Sequence, residues 1–111
     1  MSSASSIALS GLAAAGVRLD TSAHNVANAL TEGFAPLQVR QEEVASGGVR
    51  ATVERDPAAE ARADATLTGL STVNLAGEVV GQLRAATAYR ANLATLRAAD
   101  EAEKSLMDVL G

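Results

Sequence analysis

The sequence predicts a mainly α fold in which long helices at the two ends pair as a coiled coil around a short β-hairpin-like insert. Three observations lead there. Apolar and small residues recur at positions 9, 12, 16, 19, 23, 26 and 30, in steps of three and four that mark the seam of a helix packed on another helix. The last third repeats the pattern through Leu75, Val79, Leu83, Ala86, Tyr89, Leu93, Leu96, Ala99, Leu106 and Leu110. Between the two lie Pro36, two stretches of alternating apolar and polar residues, and Gly47-Gly48. The chain therefore divides into an N-terminal helix with its stop signal over 1–34, an insert over 35–72 and a C-terminal helix over 73–111.

The first helix is expected to start with Ser5 or Ser6 as its cap and to run to about Leu30. Its seam residues are Leu9, Leu12, Leu19, Val26 and Leu30. Gly11 and Gly16 each weaken an isolated helix by about 1 kcal/mol relative to alanine, unless a neighbouring helix approaches closely there. Gly33 is suited to the left-handed conformation that stops a helix, with Phe34 folding back onto it. Beyond Pro36, Leu37 and Val39, and then Val49, Ala51 and Val53, alternate with polar residues on either side of a glycine turn, which reads as a hairpin. Gln41 to Ala45 fits a helical turn equally well.

Asp56-Pro57 can open a short helix, yet Pro57 to Leu70 has few large apolar residues and also fits a linker ending at Gly69. Ser71 or Asn74 then caps the last helix, whose seam residues are Leu75, Val79, Leu83, Leu93, Leu96 and Leu106. Arg84, Arg90, Arg97, Glu101 and Lys104 supply its polar sides, and Asp100 and Lys104 have the favourable acid-then-base spacing.

Composition limits what this fold can do alone. Hydrophobic residues make up 48% of the 111 residues, but many are alanine, and aromatics are only 2%, Phe34 and Tyr89. Alanine favours helix and buries little area, so partner helices are expected to complete the core and the isolated terminal helices to fluctuate. The net charge of −4 argues against nucleic-acid binding, which needs a basic face. There is no cysteine for a disulfide or thiolate site. Ile7 to Val17 imitates a signal-peptide core, but no Lys or Arg precedes it and the heptad pattern runs through it, so a mature helix without cleavage is expected. No run is long enough to span a membrane.

No enzyme emerges from these residues. His24 is the single histidine, and metal sites need several converging ligands, so neither a metal nor any other cofactor is expected. Glu42-Glu43 and Asp100-Glu101 are sequence neighbours that do not face each other on a helix and read as solvated charge. Asn25 and Asn28 lie three apart, on one helix face, just before the stop. Either they fix the register of a partner, as asparagine does in helix seams, or they cap their own helix end.

These residues carry a resemblance. Asn25-Val26-Ala27-Asn28 followed by Thr31, Gly33 and Phe34 resembles the N-terminal signature of the bacterial flagellar rod, hook and hook-associated axial proteins, and Ser10-Gly11-Leu12 to Leu19 resembles that family's opening helix. At the other end, Val73-Asn74-Leu75 with Glu78, and Ala88-Tyr89-Arg90-Ala91-Asn92, are similar to its C-terminal helix. The length and the stretch from Gly48 to Pro57 are most similar to the small proximal-rod members. Leu30, Ala35 and Thr87 depart from residues frequent in the family.

The resemblance implies a structural subunit of the basal-body rod, polymerising through its terminal helices into the wall of a helical tube. It implies assembly with copies of itself and other rod or hook–basal-body proteins. It also implies passage through the flagellar export apparatus without a cleaved signal, to a periplasmic rod. Asn25, Ala27, Asn28, Thr31, Gly33, Phe34, Asn74, Glu78, Tyr89 and Asn92 are the assembly residues it points to. A soluble coiled-coil adaptor or export chaperone for axial proteins is the alternative reading.

Overall fold

The computed structural model describes residues 3–65 and 71–111. In chain order it has α1 (Ser3–Ala27), β1 (Leu37–Glu43), β2 (Val49–Arg55), α2 (Pro57–Ala65) and α3 (Leu75–Leu110). The expectation of paired terminal helices with a hairpin between them matches this architecture. The molecule is a slender rod of 70 × 25 × 14 Å. Its 7392 Å² of accessible surface exceeds the roughly 5,700 Å² of a compact monomer of this mass.

α1 and α3 run antiparallel, since Gly11 sits against Asn92 while Ser22 and Asn25 both reach Glu78. What they bury differs from the predicted seam. The buried positions of α1 are Ser5, Ala8, Ala14, Ala15, Thr21, Ser22 and Asn25, and α3 buries Ala85 against them. Leu12, Leu19, Leu93 and Leu96 flank this line half-buried. Leu9, Val26, Leu75, Val79, Leu83 and Leu106 are exposed, and Leu30 is 96% exposed. The contact line is shifted one residue from the predicted one because small side chains let two backbones approach, as at Gly11, where a Cβ would collide with the Asn92 side chain. Gly16 meets no such neighbour and gains nothing from being glycine.

Both ends of the first helix also differ from expectation. It is already helical at Ser3, and Ser5 is buried inside it rather than capping it. It ends at Ala27, short of Leu30. The hydrogen bonds from Ala29 N–H to Val26 C=O, Thr31 N–H to Asn28 C=O and Phe34 N–H to Thr31 C=O tighten the chain into successive three-residue turns.

The hairpin is antiparallel, with Val39 opposite Val53 and Gln41 opposite Ala51. β1 continues to Glu43, so Gln41 to Glu43 is strand and not a helical turn. At its tip Gly47 and Gly48 have φ of +102° and +90°, a region that side chains rarely enter. A Cβ on Gly48 would also press on Ser10 of α1. The outward face carries exposed ion pairs among Arg40, Glu42, Arg50 and Glu54, at 3.0 to 3.6 Å, which contribute little to stability but keep that face solvated. The other face lies on α1, as a two-stranded sheet requires for stability.

Asp56 opens α2 by accepting a hydrogen bond from the Ala58 amide at 3.0 Å, with Pro57 as the first helical residue. The helical reading of this stretch therefore holds as far as Ala65, and the expected stop at Gly69 lies outside the described residues. Asn74 is the cap of α3, its side chain accepting from the Gly77 amide at 3.0 Å. Ser71 instead turns the chain just before, accepting from the Val73 amide at 3.2 Å. Lys104 meets Asp100 at 3.2 Å, as the spacing predicts.

Candidate assembly site

Asn25 is the point where the elements meet. It lies on the last helical turn of α1 and is 2% exposed. Its Nδ2 donates to the Leu37 carbonyl at 2.8 Å, and its Oδ1 accepts from the Leu37 amide at 2.9 Å. A side-chain carboxamide thus pairs with the first residue of β1 as a neighbouring strand would. The second Nδ2 hydrogen reaches Glu78 Oε1 on the first turn of α3 at 2.9 Å. Ser22, one turn earlier, donates to the Glu78 backbone carbonyl at 3.2 Å. One buried amide therefore ties α1, the hairpin and α3 together. Carboxamide geometry suits this, because it offers two donors and an acceptor in one plane.

A second tie holds the other end of the hairpin. Ser10 Oγ donates to the Ile7 carbonyl at 2.6 Å and accepts from the Val49 amide at 3.1 Å. Fifteen helical residues from Ser10 to Asn25 span about 22 Å, and the six strand steps from Leu37 to Glu43 span about 20 Å. The match lets the hairpin lie lengthwise on α1, pinned at both ends. Ser10 carries no sequence signal for this role, since a lone serine in a helix more often back-bonds to its own turn.

The remaining signature residues divide. Gly33 has φ +70°, as the stop signal predicts, but it closes the turns after the helix rather than the helix itself. Phe34 folds back edge-on to His24, with ring centroids 5.6 Å apart. Asn28 does not reach a neighbouring element. Its Nδ2 donates to the His24 carbonyl at 3.0 Å and its Oδ1 accepts from Thr31 Oγ1 at 3.2 Å, so it satisfies the frayed end of its own helix. Within the chain, Asn25 reaches β1 and α3, whereas Asn28 bonds only within the end of its own helix.

Ala27 is the last helical residue and is exposed. Tyr89 is 42% exposed. Asn92 turns its amide to the Ala88 carbonyl at 2.8 Å while packing on Gly11. Glu78 is the Asn25 partner, and Asn74 is a helix cap.

The signature also borders an open cleft of about 550 Å³ between the end of α1, the 33–37 turn and α2. The charged groups facing it, Arg55 and Glu60, pair with each other at 3.4 Å. Among the described residues no three His, Asp or Glu side chains converge as a metal would need, and no helix is long and apolar enough to cross a membrane.

Residues 6–34, which take in α1 and all of the signature turn, match the family described as flagella basal body rod protein. The match covers about a quarter of the chain and is a likeness of its N-terminal segment to that family. No curated protein matches the chain at a significant level. The matched segment contains Ser10, Ser22 and Asn25, the three α1 side chains that bind the hairpin and α3. The partners they need lie outside the matched residues, in Leu37, Val49 and Glu78.

Proposed function

We propose that the chain is a structural subunit of the flagellar basal-body rod that polymerises through its terminal helices into the wall of a helical tube. The observation that carries this reading is the rod-family match over residues 6–34. The geometry supports it. Segments 1–34 and 73–111 form the axial parts, joined by the Asn25–Glu78 contact, and the hairpin clamped on α1 forms the body between them. The exposed Leu75, Val79 and Leu83, spaced four apart on α3, form an apolar stripe that neighbouring subunits would cover, along with the separate exposed Leu9 and Val26 of α1. Open-ended contacts between different faces of one subunit make filaments. Partners are copies of the chain, other basal-body proteins and the flagellar export apparatus, with delivery to the periplasmic rod without cleavage.

Imaging of purified basal bodies from cells with and without the chain tests the reading. A rod that is missing or shortened without it is the expected result, with the intact mass of the exported protein beginning at or next to Met1. Complete rods in its absence, together with discrete soluble complexes between the chain and an axial protein, would overturn the structural role in favour of an adaptor. A start near Gly16 would overturn uncleaved export.

A further inference from the structure

The hairpin is held to the helix pair at two ends of unequal strength. At its root, Asn25 makes two hydrogen bonds to the Leu37 backbone and a third to Glu78. Because Asn25 is buried, withdrawing Leu37 would leave the carboxamide oxygen without a partner inside the fold, which costs more than the bond alone. The chain itself also holds the root. β1 enters it from the 33–36 turn, whose Phe34 carbonyl accepts from the Thr72 amide at 3.2 Å, and β2 leaves it directly into α2.

Among the described residues, the tip has a single hydrogen bond to α1, from the Val49 amide to Ser10 Oγ at 3.1 Å. Ser10 is half-exposed and already gives its own proton to the Ile7 carbonyl at 2.6 Å. When Val49 withdraws, Ser10 keeps that bond and water takes the place of the amide, so no polar group is stranded. Water already has access through an open gap of about 280 Å³ between residues 49–51 and the Ala13, Ala14 and Val17 side of α1. Gly47 and Gly48 lie over Ile7 and Ser10 with no side chain to bury, and Ile7 is 44% exposed beneath them.

The hairpin's internal bonds do not depend on α1. Val44 N–H donates to the Gly48 carbonyl at 3.0 Å and Gly47 N–H to the Val44 carbonyl at 2.8 Å, closing the turn on itself. Antiparallel pairing then runs from Glu43 opposite Val49 to Leu37 opposite Arg55.

We propose that the hairpin is a hinged strap. Its root stays fixed at Asn25 while its tip lifts from Ser10 as a folded unit, uncovering residues 10–17 of α1 with the α1–α3 pair intact. This motion does not depend on the rod reading.

Amide exchange of the dilute full-length protein by NMR, with osmolyte to hold the native state, tests it. Relative to intrinsic rates, the Val49 amide should exchange roughly tenfold or more faster than the Leu37 amide at the root and the Val44 amide within the hairpin. Val49 and Leu37 exchanging together would mean that the hairpin leaves as a whole. Leu37 exchanging first would put the hinge at the wrong end. Val44 exchanging with Val49 would mean that the tip melts in place of lifting. Each of these overturns the proposal. Ser10→Ala should leave the Leu37 rate within about twofold of wild type, whereas Asn25→Ala should speed exchange at both Leu37 and Val49. Ser10→Ala speeding Leu37 as much as Asn25→Ala does would overturn the hinge.

Discussion

Asn25→Ala should be the most damaging single truncation on the inner faces of the fold. It removes two hydrogen bonds to the Leu37 backbone and one to the Glu78 carboxylate from a residue that is 2% exposed. Neutral hydrogen bonds contribute about 1 kcal/mol each and those to a charged group about 2, and water can enter part of the gap, so a loss of about 3 kcal/mol is expected. A domain of this size has about 5–15 kcal/mol in total. Among the described residues the buried apolar ones, Ala8, Ala14, Ala15, Ala59, Ala63 and Ala85, are all alanine, which puts the chain at the low end.

Urea unfolding followed by far-UV circular dichroism, at one dilute concentration and with osmolyte to hold the native baseline, measures the loss. Amide exchange at Leu37 reports whether the hairpin has lifted from α1. Asn28→Ala, whose bonds stay within its own helix end, should cost only about 1 kcal/mol. Asn25→Asp should be at least as harmful as Asn25→Ala, since it turns a carboxylate toward Glu78, and acidification should recover part of the loss by restoring a donor. A loss below about 1 kcal/mol for Asn25→Ala, or one equal to that of Asn28→Ala, would refute the idea that this amide joins the three elements.

Three further outcomes follow from the packing. Gly11→Ala should destabilise, because the new Cβ displaces the Asn92 side chain from its place against α1, whereas Gly16→Ala should stabilise by about 1 kcal/mol, since it fills open space in a helix; thermal unfolding of the two variants checks the opposite signs. Gly33→Val should cost about 1–3 kcal/mol through its φ of +70° alone, since no atom lies within 4 Å of the added Cβ, and should shift the His24 and Phe34 proton resonances as their ring contact loosens. Leu19→Asp or Leu93→Asp, at half-buried positions flanking the α1–α3 line, should abolish incorporation into the rod, whereas Arg62→Ala on the exposed side of α2 should leave motility unchanged.

Much of the architecture was legible in one dimension because it rests on local chemistry. Heptad spacing marks helices, Gly47-Gly48 between alternating residues marks a hairpin, Asn74 marks a cap, and Gly33 marks a left-handed turn. Each of these depends only on the backbone within a few residues. The sequence also singled out Asn25, though it left Asn25 and Asn28 undivided. They share a helix face, and what separates them is that β1 and α3 arrive beside one and not the other.

The face that α1 buries was beyond the sequence for a related reason. Periodicity finds large apolar residues, and by that measure Leu9, Val26 and Leu30 form the best stripe. The tertiary structure chose the neighbouring line of Ser5, Ala8, Ala15, Ser22 and Asn25, because closely approaching backbones gain from small side chains and from hydrogen bonds that no hydropathy pattern registers. By itself the sequence determined the two terminal helices, the hairpin turn and the thinness of the buried core, while Gln41 to Ala45 and Pro57 to Leu70 stayed open between two readings. Only the tertiary structure decided which stripe lies inside, that Ser10 and Asn25 hold the hairpin, and which apolar side chains stay exposed. Those outcomes depend on atoms brought together from 12 to 56 residues apart.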